Sequence, residues 1–375
     1  MDNPIKKFFS NINFFAKEGN DSAVGIDIGS SSIKVVEIKK KGGKAVLETY
    51  GSIALGSYAG VDVGRVTNLP TDKTVEALKE VLKQAGVTTV SSAFSIPVQS
   101  SLIFPISLPS QVKESEIPQI IPTEARKYIP LPMTEVSLDY FILPKKESSF
   151  EEANNPASAS NLSENTEVLV VAIQNDAISK YRSISTDCGL ESDFFEIEIF
   201  SSVRSNFEHE LSFVLLIDFG ASSTKLSLVE FGMVKSYHTI NRGGADISSS
   251  ISQSLGIPFS KAEDMKKEFG LFENSAEKSL ADIIKVHIDY IFSETNNVLL
   301  GYEKRYDRTI SKVIFTGGGS QLKGLKEMAS NNFRAEIEIG HPFSKVAAPE
   351  FLRKVLETTG PEFAVAIGLA LRKLQ

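Results

Sequence analysis

One eight-residue pattern occurs twice in this chain, and few sequence features restrict a fold more than an internal duplication. Asp27-Ile-Gly-Ser-Ser-Ser-Ile-Lys34 follows the apolar run Ala23-Val24-Gly25-Ile26, and Asp218-Phe-Gly-Ala-Ser-Ser-Thr-Lys225 follows Val214-Leu215-Leu216-Ile217. Asp, Gly, two adjacent Ser and Lys hold the same offsets in both copies. Each copy continues into a second strand, a turn and a third strand, with Gly42-Gly43 turning the first hairpin and Gly232-Met233 the second. Two similar half-molecules, with two similar loops facing a shared cleft, follow from this. A Gly/Ser loop leaving a buried strand presents backbone N–H groups and hydroxyls with no bulky side chain in the way, which suits phosphate. An Asp at each strand end is badly placed for phosphate itself but well placed for a bridging Mg²⁺ or its waters.

At 375 residues the chain exceeds what one hydrophobic core usually serves, so two or more domains are expected. The net charge of -7 argues against nucleic acid as the main partner. A single cysteine, Cys188, excludes an intramolecular disulfide and any multi-Cys metal site, as a reducing cytoplasm would favour. No apolar run approaches the ~20 residues of a membrane span. His209, His238, His287 and His341 show no ligand or triad spacing.

Residues 1–20 stand apart, with Ile5, Phe8, Phe9, Ile12 and Phe15 at helical spacing and Lys6, Lys7 and Lys17 among them. This amphipathic segment reads as a helix docked on the protein or a partner, as a membrane-surface helix, or as a disordered leader. Strands then read at 23–28, 33–39 and 44–55, a helix at 71–85 closed by Gly86, and a strand at 90–96. A different character follows: a helical segment over about 111–128, strands at 136–143 and 167–173, a helix at about 176–188, and a strand at 194–199. Residues 145–166, rich in Glu, Ser, Asn and Ala, read as a solvated, disordered loop. The second half repeats the first, with strands at 213–219, 224–231 and 234–240, helices to about 305, and a strand at 312–316. A closing helix reads at 362–374, with small residues Ala364, Ala366, Gly368 and Ala370.

Three further segments admit a ligand reading. Thr316-Gly-Gly-Gly-Ser320 has more glycine than one tight turn needs, so Gly317, Gly318 and Gly319 are expected to let the backbone approach a ligand. Gly243-Gly244 reads as a turn before a helix or as a backbone approach to a nucleotide. Ser260, Glu263 and Lys266 fit a capping box with a surface pair; taken alone, that structural reading is preferred.

Together these segments resemble the actin, Hsp70 and sugar-kinase superfamily, whose members hold ATP between two duplicated ribonuclease-H-like domains. The resemblance implies an α/β, actin-like ATPase fold with a small inserted α+β domain. It places phosphate on Gly29, Ser30, Ser31, Ser32 and Lys34 and on Gly220, Ser222 and Ser223, with Mg²⁺ near Asp27 and Asp218. It gives Gly243, Gly244, Glu263, Lys266 and Gly317–Gly319 to the nucleoside side. Glu198, where the chain re-enters the duplicated core, is a weak candidate for orienting water, and no catalytic residue is assigned. The implied domains are 21–103 plus 342–375, an insertion over 104–198, and 199–341 with a helical part over 256–310.

More narrowly, Val24–Glu37, Ile129-Pro-Leu-Pro132, Asp139-Tyr140, Gly189-Leu190, Glu196-x-Glu198, Arg204, Asn241-Arg242-Gly-Gly244 and the closing Gly-Leu-Ala-Leu resemble the PilM family of type IV pilus assembly proteins. That resemblance implies a cytoplasmic ATP-binding scaffold at the inner membrane, with weak or no ATPase activity. Its partner would be the N-terminal cytoplasmic tail of a PilN-type protein, and self-association is compatible with it. Membrane contact would be indirect or through residues 1–20. The alternatives are a division protein of the FtsA type, which shares the insertion but ends in an amphipathic helix, and a true ATPase or kinase of the superfamily.

Overall fold

The computed structural model describes residues 21–143, 165–207, 212–272, 278–306 and 308–375. The N-terminal segment 1–20, and all of the 145–166 loop except Asn165 and Thr166, lie outside the described residues. Thr166 already opens a strand.

The described residues form two compact units, Val98–Ser179 and, together, 21–97 and Lys180–Gln375. In the larger unit, β1 (Ser22–Ile28), β2 (Ser32–Lys41) and β3 (Lys44–Ala54) form an antiparallel meander, and β4 (Ser91–Ile96) returns parallel to β1. Gly42 and Gly43 both adopt positive φ at the β2–β3 turn, as a tight hairpin requires. Five successive residues of β1 are buried, the mark of a central strand covered on both faces.

The smaller unit is a three-stranded antiparallel sheet of β5 (Ser101–Leu108), β6 (Val136–Ile142) and β7 (Thr166–Gln174), in the order β5-β7-β6. Val168, Val170 and Ala172 of β7 share a core with Ile117, Ile121 and Ala125 of the helix Ile117–Ala125. The sequence reading missed β5, because Pro105 lies within it. As an edge strand it tolerates a residue without an N–H.

Back in the larger unit, β8 (Glu191–Ile197) pairs in parallel with β4 and completes the first sheet in the order β3-β2-β1-β4-β8. Its sequence position had put this strand in the inserted domain at 194–199. Phe194, Phe195 and Ile197 suit either sheet, and only pairing with a strand some hundred residues earlier decides between them. The inserted unit is therefore residues 98–179 rather than 104–198, and Glu198 opens the helix Glu198–Asn206 instead of ending a strand.

The second sheet contains β9 (Val214–Phe219), β10 (Thr224–Glu230), β11 (Met233–Ile240), β12 (Lys312–Thr316) and β13 (Glu336–Ile339). Its order, β11-β10-β9-β12-β13, reproduces the first strand for strand. The duplication extends to register: Asp27 pairs with Lys34 across β1 and β2, and Asp218 with Lys225 across β9 and β10. Leu215, Ile217 and Phe219 of β9 pack with Ile284, Ile288 and Ile291 of the long helix Lys278–Tyr306. Each fully buried Ile there contributes about 1.5–3 kcal/mol.

The halves meet through two crossing helices, Glu198–Asn206 and Ala364–Lys373. At Gly368 a Cβ would run into the Ser201 carbonyl, so the crossing is closer than any side chain permits. Beside it Arg204 forks onto Glu196 at 2.6 and 2.7 Å and donates to the Gly368 carbonyl at 3.0 Å. Among the described residues no helix is long and apolar enough to cross a membrane.

Candidate functional site

The two octapeptides fold into the same object. Each is a β-hairpin whose loop closes when the glycine N–H donates to the carbonyl of the second serine of the shared pair: Gly29 to the Ser32 carbonyl and Gly220 to the Ser223 carbonyl, both at 3.0 Å. Register pairing then sets an Asp and a Lys side by side on each hairpin.

Their surroundings differ. Lys225 is held: its Nζ donates to Glu198 Oε2 at 2.7 Å and lies 3.7 Å from Asp218 Oδ2. Burial opposes its charge, but Glu198, Asp218 and Asp27 outweigh burial and hold the ammonium above its ordinary value. Glu198 itself is pushed up by burial and by Asp27 and Asp218, against the pull of Lys225. Lys34, by contrast, makes no ion pair or hydrogen bond with the described residues. Asp27 accepts the Ser95 hydroxyl at 2.8 Å. The sequence reading had named Lys225 as the shared lysine of the second octapeptide without giving it a role, and had not named Ser95.

The nucleoside-side candidates cluster around the second loop. Gly244 and Ala245 donate their N–H groups to the carbonyls of Gly220 and Ala221 at 2.9 and 3.0 Å. These two amides therefore brace the second loop rather than offering themselves to a ligand. Gly317 has φ +79, and a Cβ there would strike the Asp218 carboxylate; one on Gly319 would enter the Phe219 ring. Two of the three glycines are thus accounted for by packing, while Gly318 faces open space.

Glu263 does not cap its helix. Phe259–Phe269 follows Pro258, which has neither a side-chain acceptor nor an N–H for a capping box, and Glu263 turns inward. Its Oε2 accepts from the Ser248 hydroxyl at 2.6 Å and Lys266 Nζ at 2.7 Å, and Lys266 donates onward to the Gly244 carbonyl at 2.8 Å. Burial works against the Glu263 charge, but Lys266, Ser248 and Lys267 prevail and hold the carboxyl below its ordinary value. Lys266 is drawn down by burial in spite of Glu263.

Two features escaped the sequence reading. Residues 55–67 form a strap anchored on the first loop: Leu55 N–H donates to the Ser31 carbonyl at 2.9 Å, and Thr67 N–H to that of Ser30 at 2.8 Å. Its tip reaches the other half, where a Cβ on Gly64 would lie 3.2 Å from the Glu263 carboxyl carbon and Arg65 sits 4.3 Å over the Phe259 ring. The second is Glu362, in the turn Gly360–Phe363. The Pro361 carbonyl there accepts from Gly317 N–H and the Thr316 hydroxyl, both at 2.9 Å.

These contacts draw both hairpin loops, Glu263, Lys266 and the triple glycine into one cleft region. Among the described residues no group of three His, Cys, Asp or Glu is arranged to hold a metal by itself. Two oxygen donors, Asp27 and Asp218, suit a hard cation whose remaining ligands are waters and phosphate.

Comparison with known proteins accords with this architecture. Relatives include the cell division protein FtsA of Neisseria meningitidis, 24% identical over 83% of this chain and 80% of that protein. FtsA of Pseudomonas aeruginosa is 22% identical over 94% of this chain and 89% of its own length. Among solved structures, the PilM-PilN type IV pilus biogenesis complex superimposes with a TM-score of 0.75 at 25% identity, covering 94% of this chain and 98% of that one. The ethanolamine utilization protein EutJ from Carboxydothermus hydrogenoformans superimposes with a TM-score of 0.54 at 16% identity, covering 97% and 94%. The family described as type IV pilus assembly protein PilM matches residues 25–374. With its two matching sheets and paired hairpin loops, the chain has an actin-like fold and belongs to the PilM family of type IV pilus assembly proteins.

Proposed function

We propose that this protein binds ATP in the cleft between its two hairpin loops and serves as a nucleotide-responsive scaffold in type IV pilus assembly. The observation that carries the reading is the asymmetry of two otherwise equal hairpins. Lys225 is locked to Glu198 at 2.7 Å, whereas Lys34 has no partner among the described residues and is left to meet phosphate. The hydroxyls of Ser30, Ser31, Ser32 and Ser222 add donors, and Gly318 opens the nucleoside side. Mg²⁺ would be held through water by Asp27 and Asp218 and would offset phosphate charge. Calorimetric titration with Mg-ATP tests this. Asp27→Ala, Asp218→Ala and Lys34→Ala should each weaken binding, and undiminished affinity in all three would refute the assignment.

Turnover should be slow or undetectable, because Glu198, the candidate for orienting water, is engaged by Lys225. A rate on the order of 10 per second would favour an enzyme instead.

The scaffold would work at the cytoplasmic face of the inner membrane and hold the N-terminal tail of a PilN-type protein, since the PilM-PilN complex shares this architecture. Fluorescence anisotropy with labelled tail peptides checks it. Capture of a tubulin-like division protein in place of the tail would favour the FtsA reading, which the curated relatives keep in view.

A further inference from the structure

Asp27 is only 8% exposed, yet among the described residues its carboxylate accepts a single hydrogen bond, from the Ser95 hydroxyl to Oδ1 at 2.8 Å. An ionised carboxylate has room for about four, and a buried one left short of partners is costly. Its register partner does not make up the difference. Lys34 Nζ reaches over the loop instead, 3.9 Å from where a Cβ on Gly29 would sit. The second hairpin treats its aspartate differently: Asp218 has the Lys225 ammonium 3.7 Å away. The neighbouring strands differ in the same sense. Ile26 of β1 lies opposite Phe94 of β4, and Ile217 of β9 opposite Phe315 of β12, so Ser95 and Thr316 hold equivalent places one residue further on. Thr316 nevertheless turns its hydroxyl to the Pro361 carbonyl at 2.9 Å, while Ser95 turns its own to Asp27. One aspartate of the duplicated pair is thus held by a neutral donor and the other is faced by a cation.

We infer that Ser95 is a positioning residue for Mg²⁺: its hydroxyl fixes Asp27 by one oxygen and leaves the other, with the full carboxylate charge, to the cation and its waters. The inference rests on the reading of the cleft as a nucleotide site. The neutrality of the donor is what matters. An ammonium would orient the carboxylate as firmly, but it would repel the metal and offset the charge that attracts it. A hydroxyl restrains the carboxylate and leaves that charge intact. Ser95 is itself 2% exposed in the fully buried strand β4, so the donor is held in place by the sheet. The charge of Asp27 is felt by the second half: it helps to keep Lys225 ionised and to push Glu198 up. A hard cation keeps several waters and takes few protein carboxylates, so the orientation of each carboxylate weighs heavily. Loss of such an outer partner typically lowers metal affinity by roughly 10–100-fold.

The test is calorimetric titration of ATP into the full chain, with saturating Mg²⁺ and with EDTA, for wild type and for Ser95→Ala, Ser95→Cys and Ser95→Thr. The quantity read is the ratio of the two ATP affinities. The affinity of free ATP for Mg²⁺ is common to all proteins and cancels between them. Ser95→Ala should lower the ratio about tenfold and leave the affinity in EDTA nearly unchanged. Ser95→Thr restores the hydroxyl and should restore the ratio. Ser95→Cys keeps a weaker donor in nearly the same volume, should fall between the two, and serves in place of alanine should that variant fold poorly. In an Asp27→Asn background the alanine change should cost the ratio nothing further, because Ser95 acts through Asp27 alone. A merely structural hydroxyl would lower the melting midpoint, or both affinities alike, and leave the ratio where it was; that result would overturn the inference. So would a full further loss in the Asp27→Asn background. A wild type that binds ATP equally with and without Mg²⁺ would overturn the inference while leaving the nucleotide site standing. Absence of binding heat in either condition would overturn the nucleotide reading, and this inference with it.

Discussion

Replacing Lys225 with methionine removes a cation from the middle of three carboxylates while keeping most of the side chain's apolar volume. In the native chain Lys225 is 13% exposed and Glu198 11%, with 2.7 Å between Nζ and Oε2, and Asp218 Oδ2 lies 3.7 Å away. Deleting one member of so buried a pair leaves the other charge uncompensated, at a cost of about 3–5 kcal/mol. At roughly 2 °C per kcal/mol for a chain of this size, the melting midpoint should fall by about 6–10 °C. The sign of the pH dependence follows from Glu198. Burial raises its carboxyl in the folded chain, with Asp27 and Asp218 adding and Lys225 opposing. A carboxyl raised on folding contributes stability that is full below the ordinary carboxylate value and is lost as pH rises through the raised one. Without Lys225 the folded value climbs further, so the penalty should be smallest near about pH 4 and grow toward about pH 8. Thermal melts of wild type, Lys225→Met, Glu198→Gln and the double variant across that range give the coupling. The double variant should recover about 2 kcal/mol of the sum of the single losses. Additive losses, or a penalty independent of pH, would refute the claim that Lys225 and Glu198 act as one unit.

Gly368→Ala should cost about 1–3 kcal/mol, since a methyl there runs into the Ser201 carbonyl and forces the two crossing helices apart; a melting midpoint within error of wild type would contradict that packing. Glu263→Gln should lower the pKa of Lys266 further, since burial already draws it down and Glu263 opposes that, which NMR titration of the side chain can follow. Gly64→Val places a branched side chain at φ +90 against the Glu263 carboxyl and should speed nucleotide release in stopped flow by loosening the strap. The Cys188 thiol, pushed up to about 11 mainly by burial, should be about 0.1% thiolate at about pH 8 and react with Ellman's reagent on the order of a hundredfold more slowly than a free cysteine.

The parts of the fold that were legible in sequence are those written locally. The octapeptides announced two hairpins because Asp, Gly and Ser hold strand ends and tight loops within eight residues. Gly86 announced the end of the helix Thr71–Ala85 because only a left-handed residue closes it there, and its φ is 68. What stayed hidden depended on partners far along the chain. Strand β8 carries nothing to say that it pairs with β4 rather than with the inserted sheet. Pro105 concealed β5 because a proline is tolerated only by virtue of an edge position, which is a property of the sheet and not of the residue. In the site, Glu263 could not be told from a capping residue until Ser248 and Lys266 were seen converging on it. The strap tip at Gly64 and Arg65, and the turn at Glu362, have no local motif at all; they join the cleft only through contacts across the two halves.

The crossing at Gly368 also bears on how the chain is made. Helix Ala364–Lys373 packs against a first sheet whose four leading strands are complete by Ile96, so roughly 270 residues must be synthesised between the sheet and its cover, about 14–54 s at cellular rates. Throughout that interval Val36, Ile38 and Ala93 have no Ala366, Leu369 or Ala370 to lie against. The second sheet, whose strands and long helix lie close together in sequence, can close its own core first. The half translated first is therefore the half that finishes last, and a chaperone acting on this protein would find its work on the nascent amino-terminal sheet.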